Sequence, residues 1–483
     1  MLEELNHQII KSSKWSFATE LLSKLTIPII NMVLARLLTP EVFGIIATIN
    51  MIVAFAELFV DAGFQKYIVQ HDFEDEADQI NQVSVAFWTN IFMAILIWLI
   101  IYLFSEDIAM LLGNAGMGVL VSISCLSIPL NAIASIQMAV LRRSFKFKVL
   151  FKLRFLTLFV PILVTLPLAY FGFGYWSLIV GTLATNLLTI IALLIFSDNK
   201  ILFYYDFAML KKMFSFSMWS FIESISIWLT MWIDVFIIAA FLDQHYLGLY
   251  KNSMVAVNSC LAIITGATTP ILFSALSRLQ NDKEEYVKTF LKFQQLVALS
   301  VVPMGIGIFC YRDLAVEILF GAKWHEADLF VGLWGLSSSL MIIFGHYCSE
   351  VYRSKGMPKL SFWAQLFHLI VLVPVLYFTA QTGFSTLIWA RTLVRAEAII
   401  VHFVFMYYII KISPFKMITN TSIFLLAGIL MGTIAVYIRP LYDGIIWNLF
   451  TILICIGFYF GILMLIPKYR DLLITFYKKM FSK

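Results

Sequence analysis

Four cations and a handful of carboxylates sit where a bilayer makes them costly. Lys24 lies mid-way along the first long apolar stretch, and Arg391 and Arg395 lie near the middle of the twelfth. Four residues apart, the two arginines share one helix face. Glu223 and Asp234 occupy the seventh stretch on one face, eleven residues apart, with Glu20 one turn before Lys24 and Glu57 and Asp61 in the inner half of the second. Each such charge costs about 2.5–3.5 kcal/mol at the centre of a span. Chemistry that repays this is anion binding: an arginine fork grips phosphate oxygens two at a time, and lysine adds a point charge. The expectation is a polar cavity lined by Lys24, Arg391, Arg395, Glu223 and Asp234, the two acids lining it or coupling an ion. The alternative is internal pairing, Glu20 with Lys24 and Arg395 with Glu397 or Glu223. Lys251, near an outer end, is expected to snorkel.

Other groups promise less. Arg142, Arg143, Lys146, Lys148, Lys152 and Arg154 form the densest basic run. Orientation and anionic-lipid contact explain it; the functional alternative is capture of a phosphate headgroup at the inner entrance by Arg142, Arg143 and Lys146. The acidic segment Asp72 to Asp78 reads as a solvated loop, and without His or Cys at ligand spacing no metal site is expected. The five cysteines show no CxxC spacing and read as buried thiols. His346, His368 and His402 read as packed, hydrogen-bonded residues. No phosphate-binding loop is present, so no step is driven by ATP within the chain. No long outer loop carries catalytic groups, so no enzyme is expected. No cofactor is implied; a coupling ion, H+ or Na+, is left open.

The elements that must position these residues are membrane spans. The 483 residues are 61% hydrophobic and 13% charged, with mean hydropathy +0.90. Soluble domains carry about 25% charged residues. Continuous apolar runs of about 20 residues exclude a β-barrel, whose strands alternate. The fold class is all-α and polytopic, with about fourteen spans running from 14–38 to 445–466. With the amino terminus inside, 26 Lys and Arg face the inside and 4 the outside, which also places the carboxyl terminus inside. The net charge of +5 is spread over many loops and reads as topology, not nucleic-acid binding. No cleavable signal is read; the first span is itself the targeting signal.

The chain also repeats itself. Ser13-Lys14-Trp15-Ser16-Phe17 is echoed by Ser217-Met218-Trp219-Ser220-Phe221, and the same offset pairs Ala35 with Ala239, Leu38 with Leu242 and Gly44 with Gly248. Six spans separate equivalent points, so both halves insert the same way. The expected plan is 1–205 as an amino-terminal six-helix lobe, 206–411 as a carboxyl-terminal one, and 412–483 as two extra helices and a tail, with a central cavity between the lobes. That is the organisation of a secondary transporter. Pro28, Pro129, Pro161, Pro167, Pro303 and Pro374 are expected to kink their spans.

Several motifs together resemble one family. Leu34-Ala35-Arg36-Leu37-Leu38-Thr39-Pro40-Glu41-Val42-Phe43-Gly44, Asp61-Ala62-Gly63-Phe64 and Leu141-Arg142-Arg143-Ser144-Phe145-Lys146-Phe147 are similar to the polysaccharide transporters of the multidrug/oligosaccharidyl-lipid/polysaccharide exporter superfamily. So are Asp234-Val235-Phe236-Ile237-Ile238, Leu247-Gly248-Leu249-Tyr250 and Phe320-Gly321-Ala322-Lys323-Trp324-His325-Glu326-Ala327. One departure is Ile238-Ala239-Ala240-Phe241, where the family often has Gly and Arg. The resemblance implies a Wzx-type flippase, carrying polyprenyl-pyrophosphate-linked oligosaccharide between leaflets of the bacterial plasma membrane by alternating access. It implies membrane lipids as partners, a polysaccharide polymerase and chain-length machinery beside them, and a monomer. The rivals are a cation-coupled multidrug antiporter of the same superfamily and a non-transporting glycan-assembly protein.

Overall fold

The computed structural model describes residues 15, 19, 22, 24, 26–197 and 200–470; the side chains at 215–217, 219–220 and 222–223 lie outside that description. Thirteen helices among these residues are long and apolar enough to cross a membrane. The expected first span, 14–38, lies partly outside the described residues; its continuously described part is a shorter apolar helix, α1 (Thr26–Leu37), and residues 15, 19, 22 and 24 before it are also helical. The protein is all-helical and polytopic. By packing, the chain divides into two compact units, 1–251 and 252–483.

In the first unit, α2 (Pro40–Asp61) starts where Pro40 needs no donor and Glu41 meets the positive helix end. It stops at Ala62 and Gly63, both in the left-handed region (φ 41° and 84°). The short α3 (Phe64–Gln70) precedes α4 (Glu76–Leu103), whose Asp75 cap accepts from the Asp78 amide at 2.7 Å. Then come α5 (Ser105–Leu111), α6 (Gly118–Ser124) and α7 (Ser127–Arg143); α6 and α7 make one span, broken just before Pro129. The next span joins α8 (Phe147–Thr157), a π-helical turn over Pro161–Thr165 and α9 (Leu166–Tyr170). After α10 (Tyr175–Phe196) comes α11 (Phe207–Phe241), capped by Asp206. The unit ends within α12 (Gln244–Arg278).

Its core packs Ile45, Ile49, Ala94, Cys125, Ile128 and Ile179. A second cluster gathers Phe64, Tyr67, Phe87, Ile136 and Met213. Backbone meets backbone where α2 crosses the start of α12: a Cβ on Gly44 would strike the Gln244 carbonyl, and one on Gly248 the Pro40 carbonyl. Such contact needs glycine on both sides. Large apolar side chains such as Leu163, Leu194 and Ile195 face outward, as lipid contact requires.

The second unit contains α13 (Lys283–Cys310), α14 (Arg312–Leu319), α15 (Asp328–Met341), α16 (Tyr347–Ser354), α17 (Lys359–Ala380), α18 (Phe384–Phe405), α19 (Pro414–Ile438) and α20 (Ile445–Leu465). Helix α13 is its hub, packing on α15 and α19, while α17 pairs with α18. Gly305 lets α13 close onto Ser339, and Gly428 lets α19 close onto Val302 and Ile306. Two further π-helical turns lie at Ile342–His346, between α15 and α16, and at Met406–Ile410, after α18. Pro303 and Pro374 sit inside α13 and α17.

A charged clasp closes one end of this unit. Arg439 pairs with Asp313, donates to the Cys310 carbonyl at 2.8 Å and to Asn448 Oδ1 at 3.1 Å, and lies 5.3 Å from the Tyr311 ring centre. Partial burial pushes the Asp313 carboxyl up, but the hydrogen bond and charge of Arg439 outweigh it and hold it below the usual range. A carboxyl lowered on folding adds stability above its unfolded pKa and loses it as pH falls through the lowered value. Asp313→Asn should therefore lower the thermal midpoint of the purified protein at pH 7, and the gap to wild type should close on acidification below about pH 4. A gap that is constant across pH 7 to 3 would contradict the clasp.

Candidate functional site

The expected arginine pair is built on α18. Arg391 and Arg395 occupy adjacent turns of one face, and Trp334 of α15 stands against both. The Arg395 guanidinium lies 3.4 Å from the Trp334 ring centre, and that of Arg391 lies 5.0 Å away. Arg395 Nη1 also donates to Ser338 Oγ at 2.5 Å and Ser337 Oγ at 3.4 Å. The indole itself is fixed, its Nε1 donating to Asn258 Oδ1 at 3.1 Å. A desolvated cation on an aromatic face gains about 2 kcal/mol, which offsets part of the cost of holding the charge in a span.

The two arginines then diverge. Arg391 is 7% exposed and packed. Arg395 lines a cavity of about 210 Å³ with Asn258, Thr265, Ser338 and His346. His346 is held by Thr269, Nε2 to Oγ1 at 3.0 Å. This is a polar chamber among membrane-spanning helices with a cation in its wall. Glu397, an expected partner of Arg395, meets His368 Nδ1 at 3.1 Å.

The other expected residues lie elsewhere. Lys24 stands on helical backbone in the first unit with its side chain exposed. Glu20 lies outside the described residues, and Glu223 is on α11 with its side chain outside them. Asp234 is 2% exposed; it accepts from the Tyr250 hydroxyl at 2.9 Å and from the Val235 amide at 2.8 Å, tying α11 to α12. Lys251 Nζ donates to the Met231 carbonyl at 3.1 Å and sits 4.4 Å from the Trp232 ring centre.

The basic run divides in the same way. Arg143 serves backbone: Nη1 donates to the carbonyls of Ile68 (3.1 Å), Val69 (3.3 Å) and His71 (2.5 Å), and the guanidinium lies over Phe73 at 4.4 Å. Lys146 precedes α8 and is exposed. Arg142 lines a first-unit pocket of about 480 Å³ together with Arg154, Thr157, Thr185, Asn186 and Thr189. This is a basic, hydroxyl-rich chamber.

The residues missed by sequence reasoning are Trp334, Ser337, Ser338 and Asn258. One local signal existed: Ser337-Ser338-Ser339 interrupts an apolar span. Among the described residues no cluster of His, Cys, Asp and Glu could hold a metal ion.

Residues 33–328 match the family described as polysaccharide biosynthesis protein. The chain belongs to the polysaccharide biosynthesis protein family. This agrees with the resemblance to Wzx-type polysaccharide transporters. Family relatives include the succinoglycan biosynthesis transport protein ExoT of Rhizobium meliloti, 24% identical over 75% of this chain and 72% of that one. The teichuronic acid biosynthesis protein TuaB of Bacillus subtilis is 23% identical over 85% of each chain. In fold, the chain is similar to the lipid II flippase MurJ in its inward closed conformation: TM-score 0.74, 15% identity, covering 96% of this chain and 100% of that one.

Proposed function

We propose that this protein flips oligosaccharide repeat units, linked through pyrophosphate to a polyprenol, from the inner to the outer leaflet for surface polysaccharide assembly. The observation that carries the reading is Arg395: a guanidinium fixed on Trp334 and Ser338, in the wall of a chamber within the spans. A pyrophosphate with several sugars cannot cross hydrocarbon unaided, since desolvating even one bare charge costs tens of kcal/mol. Fixed cations and hydroxyls replace the lost hydration. Arg395 is the leading candidate for the diphosphate, with Arg391 adding charge; in the first unit Lys24 is a further candidate cation, and Arg142 with Arg154 is a second cationic station for the headgroup. Alternating access supplies the movement.

The multidrug alternative is not favoured. Among the described residues, the wall of the Arg395 chamber carries a cation and no carboxylate, and the relatives above are named for polysaccharide biosynthesis. Transport, not bond chemistry, is the activity. The six-plus-six-plus-two plan, both termini in the cytoplasm of a bacterial inner membrane, a monomeric state and contacts with a polymerase and chain-length machinery belong to the same proposal. The chain that performs this step controls where its substrate accumulates. Deleting it should raise lipid-linked repeat units on the inner leaflet at least tenfold and abolish surface polymer, read by leaflet-selective labelling. Normal surface polymer in the deletion strain would refute the reading.

A further inference from the structure

A second chamber in the first unit, about 350 Å³, has different chemistry. Its wall includes Glu57 and Asp61 from α2, Asn90 from α4, Asn131 from α7, and Trp228 and Trp232 from α11. Glu57 Oε1 accepts from Asn131 Nδ2 at 2.7 Å, and Asp61 Oδ1 accepts from the Gln65 amide at 3.2 Å, which leaves each carboxylate further acceptor capacity. Among the described residues, two buried polar atoms in this wall have no hydrogen-bond partner. One is an acceptor, Oδ1 of Asn90, a residue only 1% exposed; the other is a donor, Nε1 of Trp228. The Asn90 amide is itself held, Nδ2 donating to Ser135 Oγ at 2.8 Å.

Buried orphan groups call for an explanation, and these two narrow the ligand by charge and by role. An anion is repelled by Glu57 and Asp61. A bare cation satisfies the acceptors but offers nothing to the Trp228 N–H. A hydroxyl donates and accepts, and so answers all of them. The indole rings add flat apolar walls, suited to the C–H faces of a sugar ring. The volume is at the low end of the range of small-ligand sites, about 300–1,000 Å³, so it takes one or two rings, not a whole repeat unit.

Position adds one more constraint. Asn131 lines both this chamber and the basic chamber of Arg142 and Arg154. On α7, Ile128, Ala132 and Ser135 face one chamber and Ala134, Met138 and Arg142 the other, with Asn131 at their shared edge. We infer that the Glu57–Asp61–Trp228 chamber is a neutral-sugar subsite that reads the sugar nearest the phosphate, while Arg142 and Arg154 hold the phosphate. This rests on the flippase reading and adds to it a specificity element: a hexose with free hydroxyls is accepted, and an acidic sugar at that position is rejected.

The test uses the full-length protein in nanodiscs, with tryptophan fluorescence as readout. The probes are methyl β-D-glucopyranoside, methyl β-D-galactopyranoside, glucose 1-phosphate, glucuronate, inorganic phosphate and NaCl. At least one neutral hexoside should quench saturably, and glucose 1-phosphate should bind at least tenfold more tightly than either hexoside or phosphate. Glu57→Gln and Asp61→Asn should each weaken the hexosides about tenfold without changing phosphate binding, which also shows that the variants are folded. Trp228→Phe, which keeps a ring in the wall, should remove most of the quenching. No saturable response to either hexoside overturns the subsite, as does glucuronate binding as well as they do. A response to NaCl alone that is lost in Glu57→Gln makes it a cation site instead. Because sugar binding is read without transport, the subsite can fail while the export defect of the deletion strain stands, and the reverse.

Discussion

Arg395→Gln should cut export of lipid-linked repeat units at least a hundredfold while leaving the protein in the membrane. The guanidinium is held in place by the Trp334 face and the Ser338 hydroxyl, and it borders a chamber among the spans. A positioned cation facing a diphosphate in a low-dielectric site contributes about 3 kcal/mol or more, roughly a hundredfold. Glutamine keeps hydrogen-bonding capacity and most of the length but loses the charge. Arg395→Lys keeps the charge and loses the planar fork, so its export should fall between the two. Neutralising Lys24, Arg391 and Arg395 together should abolish export. The assay is surface polymer per cell, normalised to protein recovered from the membrane. Full export by the triple variant would end the case for these cations.

Gly44→Val and Gly248→Val should each abolish recovery of folded protein. The first carbon of any side chain at Gly44 meets the Gln244 carbonyl, and at Gly248 it meets the Pro40 carbonyl, with the Gly44 amide nitrogen 3.0 Å away. These obstacles are backbone, which cannot rotate aside as a side chain would. Overpacking a core typically costs about 1–3 kcal/mol, and a clash with two fixed backbones lies beyond that range. Alanine at either position should already lower the thermal midpoint by several degrees. Gly457→Ala and Gly461→Ala on α20 are the controls, since nothing lies within 4 Å of their added carbons; they should be neutral or slightly stabilising. A wild-type midpoint for Gly248→Val, measured by size exclusion after heating, would show that the crossing is looser than its geometry.

Those two glycines also mark what sequence can and cannot disclose. Their pairing at a fixed offset is visible as an internal echo, because it needs only the order of letters. That the echoed positions touch each other is a tertiary fact. The spans were legible because continuous apolar runs leave no other solution in lipid, and 13 of them recur in the structure, the remaining one lying partly outside the described residues and continuous within them only as the shorter helix α1. The shared face of Arg391 and Arg395 followed from helical spacing alone. Trp334, which organises that face, lies 57 residues from Arg391 and had no local mark. Asn131 and Glu57 are 74 residues apart and meet only once α7 packs beside α2. Arg143 illustrates the converse: its charge suggested a ligand, and the fold turned it onto carbonyl oxygens 72 to 75 residues away. Composition carries no information about which acceptor a cation will find.

The π-helical turns at Pro161–Thr165 and Ile342–His346 alter how the surface of these spans must be mapped. Each inserts one residue beyond regular winding, and one residue corresponds to about 100° of rotation at 3.6 per turn. A helical wheel drawn with constant periodicity through 322–354 would therefore swing its second half by a quarter turn, exchanging bilayer-facing and interior positions. Cysteine-scanning or crosslinking patterns along these segments should break phase at the two turns, and restart with a new origin after each.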